Sequence, residues 1–435
     1  IWLSGGRRTK RWRKMLKKIT GRQIINILIW LSIMTSSFDI VLSIRIAGMT
    51  FRFTQIVMIF VAVIYVIDVI RKGVIRKPVS VGNMIMVIIF NTIFIFNSLD
   101  VFNAVGYDFW LMLDFVYVLV MVHFFSQEKV ETVVRNYIIC FFIMGIIGLI
   151  QWLLQFFDIY FFVTQISNMY RCNGFSYEPS YYSTYMIMGW TVCAYLLENN
   201  CYAVLKKHWL YVITGTITIA LILSTSRMGW LMMALWFVVR LVVNRKKFFT
   251  GKMKKSMFLL LIFLFIAVIG GVYIIIGHWN KFVSVFLQGL GIFGTASHSS
   301  SARIQDLYDT FNIFKQSPWI GYSLGGLDAQ IAKLKNIIYA GNGMTMCITV
   351  EALAAFGIIG FAFFARYFYT IFKKSIKLAR KLPKEYGYII KAVLWALVME
   401  LGILQMNQNI LRVYLWIHIG IVSVVYFIGH KKVNV

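Results

Sequence analysis

Residues 136–157 read NYIICFFIMGIIGLIQWLLQFF, an apolar run with no charged side chain between Arg135 and Asp158. As an α-helix, such a run crosses the ~30 Å hydrocarbon core of a bilayer. The basic segment Lys129 to Arg135 stands directly ahead of it. The same alternation of apolar run and basic cluster recurs along the 435 residues, of which 60% are apolar and 14% charged. Mean hydropathy is +0.75. A soluble domain needs more charged surface than this, and the short alternating segments of a transmembrane barrel do not occur.

Outward from 136–157, apolar spans fall at about 24–44, 51–70, 81–98, 109–125, 181–197, 209–225, 228–244, 256–277, 344–369, 388–406 and 410–429. The expected fold is an all-α polytopic membrane protein of about twelve transmembrane helices. Its parts are a basic cytoplasmic flank at 1–23, helices one to nine over 24–277, a long extracytoplasmic loop at 278–343, and helices ten to twelve with a short cytoplasmic tail at 344–435. The flank has no cleavable signal pattern.

The net charge of +28 raises the question of nucleic acid. The basic residues, however, sit in short clusters between spans, with no basic domain to enter a groove, so they read as orientation signals. With residues 7–22 inside, alternation places Arg71 to Lys77, Lys129 to Arg135, Lys206 to Lys207, Arg245 to Lys255, Lys373 to Lys384 and Lys431 to Lys432 inside as well. Arg240, Arg366 and Lys391 lie within spans near inner ends and can snorkel inward. Both termini are therefore expected in the cytoplasm. The five cysteines are dispersed, and no disulfide framework is expected.

Against this bias, three arginines fall on the outer side. Arg171 stands in the moderate loop 158–180, Arg227 in the hairpin Ser224-Thr225-Ser226-Arg227, and Arg303 in the long loop 278–343. In that loop Ser299, Ser300 and Ser301 offer helix caps, and Ile304, Leu307, Tyr308, Phe311 and Phe314 follow at helical spacing before Pro318. The loop is thus expected to hold short amphipathic helices, the apolar stripe packing on the bundle or lying at the membrane interface. A single outer arginine suits a lipid headgroup or a helix end. Three at the openings of three outer elements point to one phosphorylated ligand, since guanidinium donates paired hydrogen bonds to phosphate oxygens and keeps its charge.

Candidate bases are fewer. Glu178 precedes Pro179, which marks a helix start, and stands seven residues after Arg171. It is either a salt-bridge or first-turn carboxylate or a general base. His298, five residues before Arg303, is the second candidate. Asp39, Asp114, Glu351 and Glu400 lie near outer span ends and are expected to pair with the arginines. Tyr177, Tyr308, Trp319 and Tyr322 belong to an outer crowd of aromatics that serves as interfacial belt or as stacking platforms for sugar rings. No spacing suggests a metal, a Walker loop or a GxGxxG turn, so no metal and no cofactor are expected.

Taken in order, these segments resemble the bacterial O-antigen polymerase and ligase superfamily. The resemblance rests on Arg171 through Gly174 to Glu178-Pro179-Ser180, on Ser224-Thr225-Ser226-Arg227, on Arg303 followed by Pro318-Trp319-Ile320-Gly321-Tyr322, and on Glu351 through Gly357 to Gly360. It also covers the plan of about twelve spans with one long late outer loop. The resemblance implies a metal-independent, GT-C-type glycosyltransferase of the bacterial inner membrane, acting at the outer face. It implies Glu178 or His298 as catalytic groups and Arg171, Arg227 and Arg303 as diphosphate ligands. Tyr177, Tyr308, Trp319, Tyr322 and Glu351 would then support the site. The implied partners are an undecaprenyl-diphosphate-linked oligosaccharide donor and acceptor, membrane lipids, and flippase and chain-length regulator proteins, with no nucleic acid.

Ligases of this group carry a His-Asn motif at the end of the long loop, where this chain reads Gly341-Asn342-Gly343. The Glu178-Pro179-Ser180 segment looks more like the polymerases of surface polysaccharide. Polymerase is therefore the leading expectation, ligase the second. A lipid-linked oligosaccharide flippase is third, since the candidate groups gather at the outer boundary rather than at the midplane and no internal repeat is evident.

Overall fold

The computed structural model describes residues 21–46, 49–163, 170–243, 298–338, 347–406 and 409–433. Its helices are α1 (Gly21–Met34), α2 (Phe53–Lys72), α3 (Val81–Ile93), α4 (Val101–Phe125), α5 (Val130–Gln155), α6 (Pro179–Glu198), α7 (Lys207–Leu223), α8 (Arg227–Val243), α9 (His298–Gln316), α10 (Leu327–Lys335), α11 (Ile348–Lys381), α12 (Lys384–Ile403) and α13 (Val413–Val433). Every predicted span except the ninth overlaps one of them. The ninth, 256–277, lies outside the described residues, as do the basic segment 245–255 and Gly341-Asn342-Gly343.

Among the described residues, six helices are long and apolar enough to cross a membrane: α2, α4, α5, α11, α12 and α13. Val81–Asn97 and α7 are apolar but shorter. The molecule is an α-helical polytopic membrane protein, and these lengths do not establish the expected count of twelve.

Local chemistry sets the helix boundaries. Asp100 accepts the Asn103 N–H at 3.0 Å and starts α4, eight residues before the expected span at 109, because a capping carboxylate outweighs the polar residues that follow it. α2 ends on basic Arg71 and Lys72 with Gly73 at φ +63°, the left-handed stop that glycine favours. Pro383 separates α11 from α12, and α11 runs through the basic cluster to Lys381. The first expected span, 24–44, is cut short at Met34. There the Thr35 and Ser36 hydroxyls bond back to Leu31 and Ile33 carbonyls at 2.9 and 2.8 Å, a local competitor to helix continuation. The chain then forms an antiparallel hairpin, β1 (Ser43–Ile46) and β2 (Met49–Arg52), with Ser43 opposite Arg52. Hydropathy alone does not reveal this hairpin.

Packing is centred on α6, α12 and α13. α6 buries its surface almost all round, and 83% of the apolar window of α13 is buried, against 39% for α2. α6 packs on α12, and α13 on α4. α7 and α8 pack on α6, while α2 leans on α1 and α4. Connections that alternation assigns to one side also bond to each other. At one end Asp39 N–H donates to Phe175 O at 2.9 Å and Asn97 Nδ2 to Gly321 O at 2.7 Å. At the other, Arg76 donates to His123 O at 2.7 Å.

The long-loop segment after α9 docks backbone to backbone. α11 is broken at Gly357 (φ +62°, ψ −177°). Across the break, Tyr322 and Ser323 N–H donate to Ala354 and Ala355 O at 3.0 and 2.9 Å, and Ile358 N–H donates to Pro318 O at 2.8 Å. Asn91 receives Ser323 Oγ and Leu324 N–H at 3.1 and 3.0 Å, and its own amide donates to Asp108 at 2.7 Å. The expected amphipathic stripe of α9 is not the buried one. Ile304, Leu307, Tyr308 and Phe311 are exposed, whereas Ile313 is fully buried beside Asp309 and Thr310. The Pro318–Ser323 segment, directly after α9, is the part that docks on α11 through backbone hydrogen bonds.

Asp328 on α10 is buried. Burial, with the charges of Asp100 and Asp306 added, pushes its carboxyl from 3.8 to about 7. Asp309 nearby is paired with Lys335 at 2.5 Å. Because the folded value lies above the unfolded one, the stabilising contribution is complete below about pH 4 and lost as pH rises through about 7. Hydrogen-exchange protection over 327–335, taken relative to the intrinsic rate at each pH, should therefore be lower at pH 8 than at pH 5, and Asp328→Asn should flatten that difference. An unchanged pH dependence in the variant would reject the assignment.

Candidate functional site

The segment 171–178 is built onto α5 by two glutamines one turn apart. Gln155 accepts the Arg171 N–H at 3.2 Å and donates to the Arg171 carbonyl at 2.9 Å. Gln151 accepts the Asn173 N–H at 2.9 Å and donates to Gly174 O at 3.0 Å. Polar side chains at i and i+4 near the end of an apolar run were the available signal, since they share a helix face. Gly174, at φ +55°, turns the chain where a Cβ would meet the Tyr182 ring at 2.9 Å. Ser176 Oγ donates to Ser37 O at 2.9 Å. The segment is thereby tied to the connection after α1.

Arg171 reaches from this segment to the α7–α8 hairpin. Its Nε donates to Ser224 O at 3.3 Å and to the Thr225 hydroxyl, and its Nη2 donates to Thr225 O at 3.4 Å. Thr225 takes φ +50°, and Ser226 anchors the hairpin by accepting from Ser183 Oγ at 2.7 Å. Arg227 opens α8 on the exposed side. Burial lowers the Arg171 guanidinium below its ordinary value, Glu178 opposes that shift and Arg227 adds to it. Glu178 and Arg227 therefore each lie within electrostatic reach of Arg171, although Arg227 comes from the separate α7–α8 hairpin. Glu178 is the N-cap residue of α6, in extended conformation ahead of Pro179, and accepts from Ser180 Oγ at 2.9 Å. The partial positive charge of a helix N-terminus favours an anion at this place.

The remaining expected residues divide. Arg303 and His298 lie on the first turns of α9, and their side chains lie outside the described residues. Tyr177, Tyr308 and Trp319 are exposed, and Tyr322 is partly buried against the core. Glu351 is buried at the start of α11 and accepts the Ile410 N–H at 2.8 Å. That bond supports the connection between α12 and α13.

The expected pairing of outer acids with the three arginines needs correction. Asp39 pairs with arginines, but with Arg52 at 2.8 Å and Arg412 at 3.5 Å. Glu400 is fully buried, and neither carboxylate oxygen has a hydrogen-bond partner among the described residues. Arg412 lies over the Tyr181 ring, 4.3 Å from its centroid. Neither Arg52 nor Arg412 stood out in the sequence, because each falls within the first three residues of an expected span, 51–70 or 410–429, and reads as a span-end charge.

Residues 212–365 match the family model described as O-antigen ligase. The match supports the O-antigen polymerase and ligase superfamily. No curated protein matches the chain. Within the superfamily, polymerase and ligase are not separated by the match. The matched stretch holds Arg227, Arg303, the docked Pro318–Ser323 segment and the break at Gly357. Arg171 and Glu178 lie ahead of it and are joined to it through the Ser224–Thr225 hairpin. Members of the matched family are glycosyltransferase-like enzymes, and the match covers about a third of this chain.

Proposed function

We propose that the chain is a polymerase of undecaprenyl-diphosphate-linked repeat units, acting at the outer face of the bacterial inner membrane. The observation that carries this reading is the convergence of Arg171, Arg227 and Glu178 at the N-terminus of α6. An acceptor sugar hydroxyl forms the new glycosidic C–O bond at the donor anomeric carbon. The bond from that carbon to the diphosphate oxygen breaks, and its electron pair leaves on undecaprenyl diphosphate. Arg171 and Arg227, with Arg303 as a third ligand, stabilise the charge that develops on the leaving group. Preorganised cations aimed at a developing charge act most strongly in the transition state. Glu178 takes the hydroxyl proton. His298 is the second candidate for that proton.

Glu178→Gln should remove turnover by about 10²–10⁴-fold, the usual contribution of a general base, and leave donor binding intact. Single-turnover assays alongside donor binding read both effects, and full activity in the variant would return Glu178 to a capping role. The matched family description favours a ligase as the second reading. Purified protein with a lipid-linked oligosaccharide separates the two. A ladder of products marks a polymerase, and a single shift that needs a second acceptor marks a ligase.

A further inference from the structure

Glu178 stands at the far end of the segment that Gln155 and Gln151 clamp at Arg171 and at Asn173–Gly174. At this end the grip comes from the connection after α1. The Asp39 and Ile40 N–H groups both donate to Phe175 O, at 2.9 and 3.2 Å, and the Phe38 ring meets the Phe175 ring edge-on at 4.6 Å. One oxygen of the Asp39 carboxylate accepts the Tyr177 N–H at 3.4 Å. Main chain and side chain of Asp39 thus hold Phe175 and Tyr177, the latter directly before Glu178.

The carboxylate is itself fixed. Its other oxygen pairs with Arg52 Nε at 2.8 Å and with Arg412 Nη1 at 3.5 Å. Arg52 is the N-cap of α2, and Arg412 directly precedes α13. The Asp39 and Arg412 side chains are only 10% and 6% exposed, so salt screens the pairing less than it would on an open surface. Arg412 also lies over the Tyr181 ring, 4.3 Å from its centroid, and the Tyr181 N–H donates to Glu178 O at 3.0 Å. Glu178 is therefore bracketed. Asp39 holds the residue before it, and Arg412 faces the helical turn after it.

We propose that Asp39 is a positioning residue for Glu178, acting through Tyr177 and through the Arg412–Tyr181 contact, with Arg52 and Arg412 holding its carboxylate in place. This rests on the reading of Glu178 as the base. A base works only within hydrogen-bond reach of the hydroxyl it deprotonates, and a misplacement of about 1 Å can lower the rate about 10²-fold. Arg171 keeps its own clamp at Gln155, so it stays in place when Asp39 changes. Rate and donor binding should then separate.

The test is turnover of a lipid-linked oligosaccharide by the full chain, with donor KM measured alongside. Asp39→Asn keeps the shape of the side chain and removes its charge. It should lower kcat by about 10²-fold and leave donor KM unchanged. In Asp39→Asn/Glu178→Gln the loss should be no larger than in Glu178→Gln alone, because no base is left to position. A general structural lesion would add to that loss instead. If Asp39→Asn yields no folded protein, Arg52→Gln, at a side chain a quarter exposed, removes one of the two ion pairs and should give the same split with a smaller fall in kcat. Wild-type kcat in the folded variants, a donor KM that rises as kcat falls, or additive losses in the double variant would each overturn the proposal. Full activity in Glu178→Gln would bring down the base reading itself and is seen in that variant alone.

Discussion

Arg171→Ala and Arg227→Ala should each lower polymer formation by about 10²–10³-fold, the usual loss when one preorganised group is removed from a developing charge. Folded protein should remain in the membrane. Arg227 is exposed, and the Arg171 backbone is held independently of its side chain by Gln155. Arg171→Lys retains charge but not the fork that now spans Ser224 O, the Thr225 hydroxyl and Thr225 O, so it should restore only part of the rate. If both arginines hold one diphosphate, the double variant should lose less than the product of the single losses. Chain-length ladders and single-turnover rates on purified variants measure this. Wild-type chain lengths in Arg171→Ala, Arg227→Ala and Arg303→Ala together would remove the anion site from the argument.

The second large effect is on folding. Gly357→Ala should abolish recovery of monodisperse protein, because α11 breaks there in a conformation open essentially to glycine alone (φ +62°, ψ −177°). That backbone costs other residues about 1–3 kcal/mol, and a Cβ would also lie 2.3 Å from the carbonyl group of Trp319. Gly321→Ala tests the same contact from the other side. Its φ is +71°, and a Cβ would lie 2.3 Å from Ala355 O. Backbone cannot yield as a flexible side chain can, so both variants should fail together. Gly215→Ala in α7 has open space around it and should be neutral or slightly stabilising. Fluorescence-detected size exclusion of the three variants checks the prediction, and normal yields of Gly357→Ala would disprove the docking of the loop on α11.

These two glycines show what sequence reading grasped and what it missed. Pro318 to Tyr322 and Gly357 to Gly360 were legible as two motifs in a fixed order, but not as the two sides of one contact. Nothing in a linear pattern states that a broken helix receives hydrogen bonds from a segment about thirty residues earlier. The hairpin at Ser43–Arg52 was hidden for a related reason. Its isoleucines keep hydropathy high, while the helix stop depends on hydroxyls folding back on α1. Gln151 and Gln155 were visible as polar residues in an apolar run, and only the fold showed them clamping the Arg171 segment.

Spans, basic clusters and helix ends follow from period, charge and capping chemistry, which act over a few residues, so composition and local order were enough to fix an α-helical membrane protein. The meeting of Arg171, Glu178 and Arg227, and of Arg52 and Arg412 on Asp39, depends on which helices lie side by side. That choice comes from the packing of α6 with α12 and of α13 with α4 and α12, because inside a bilayer helices associate through close packing and interhelical bonds rather than through apolar content.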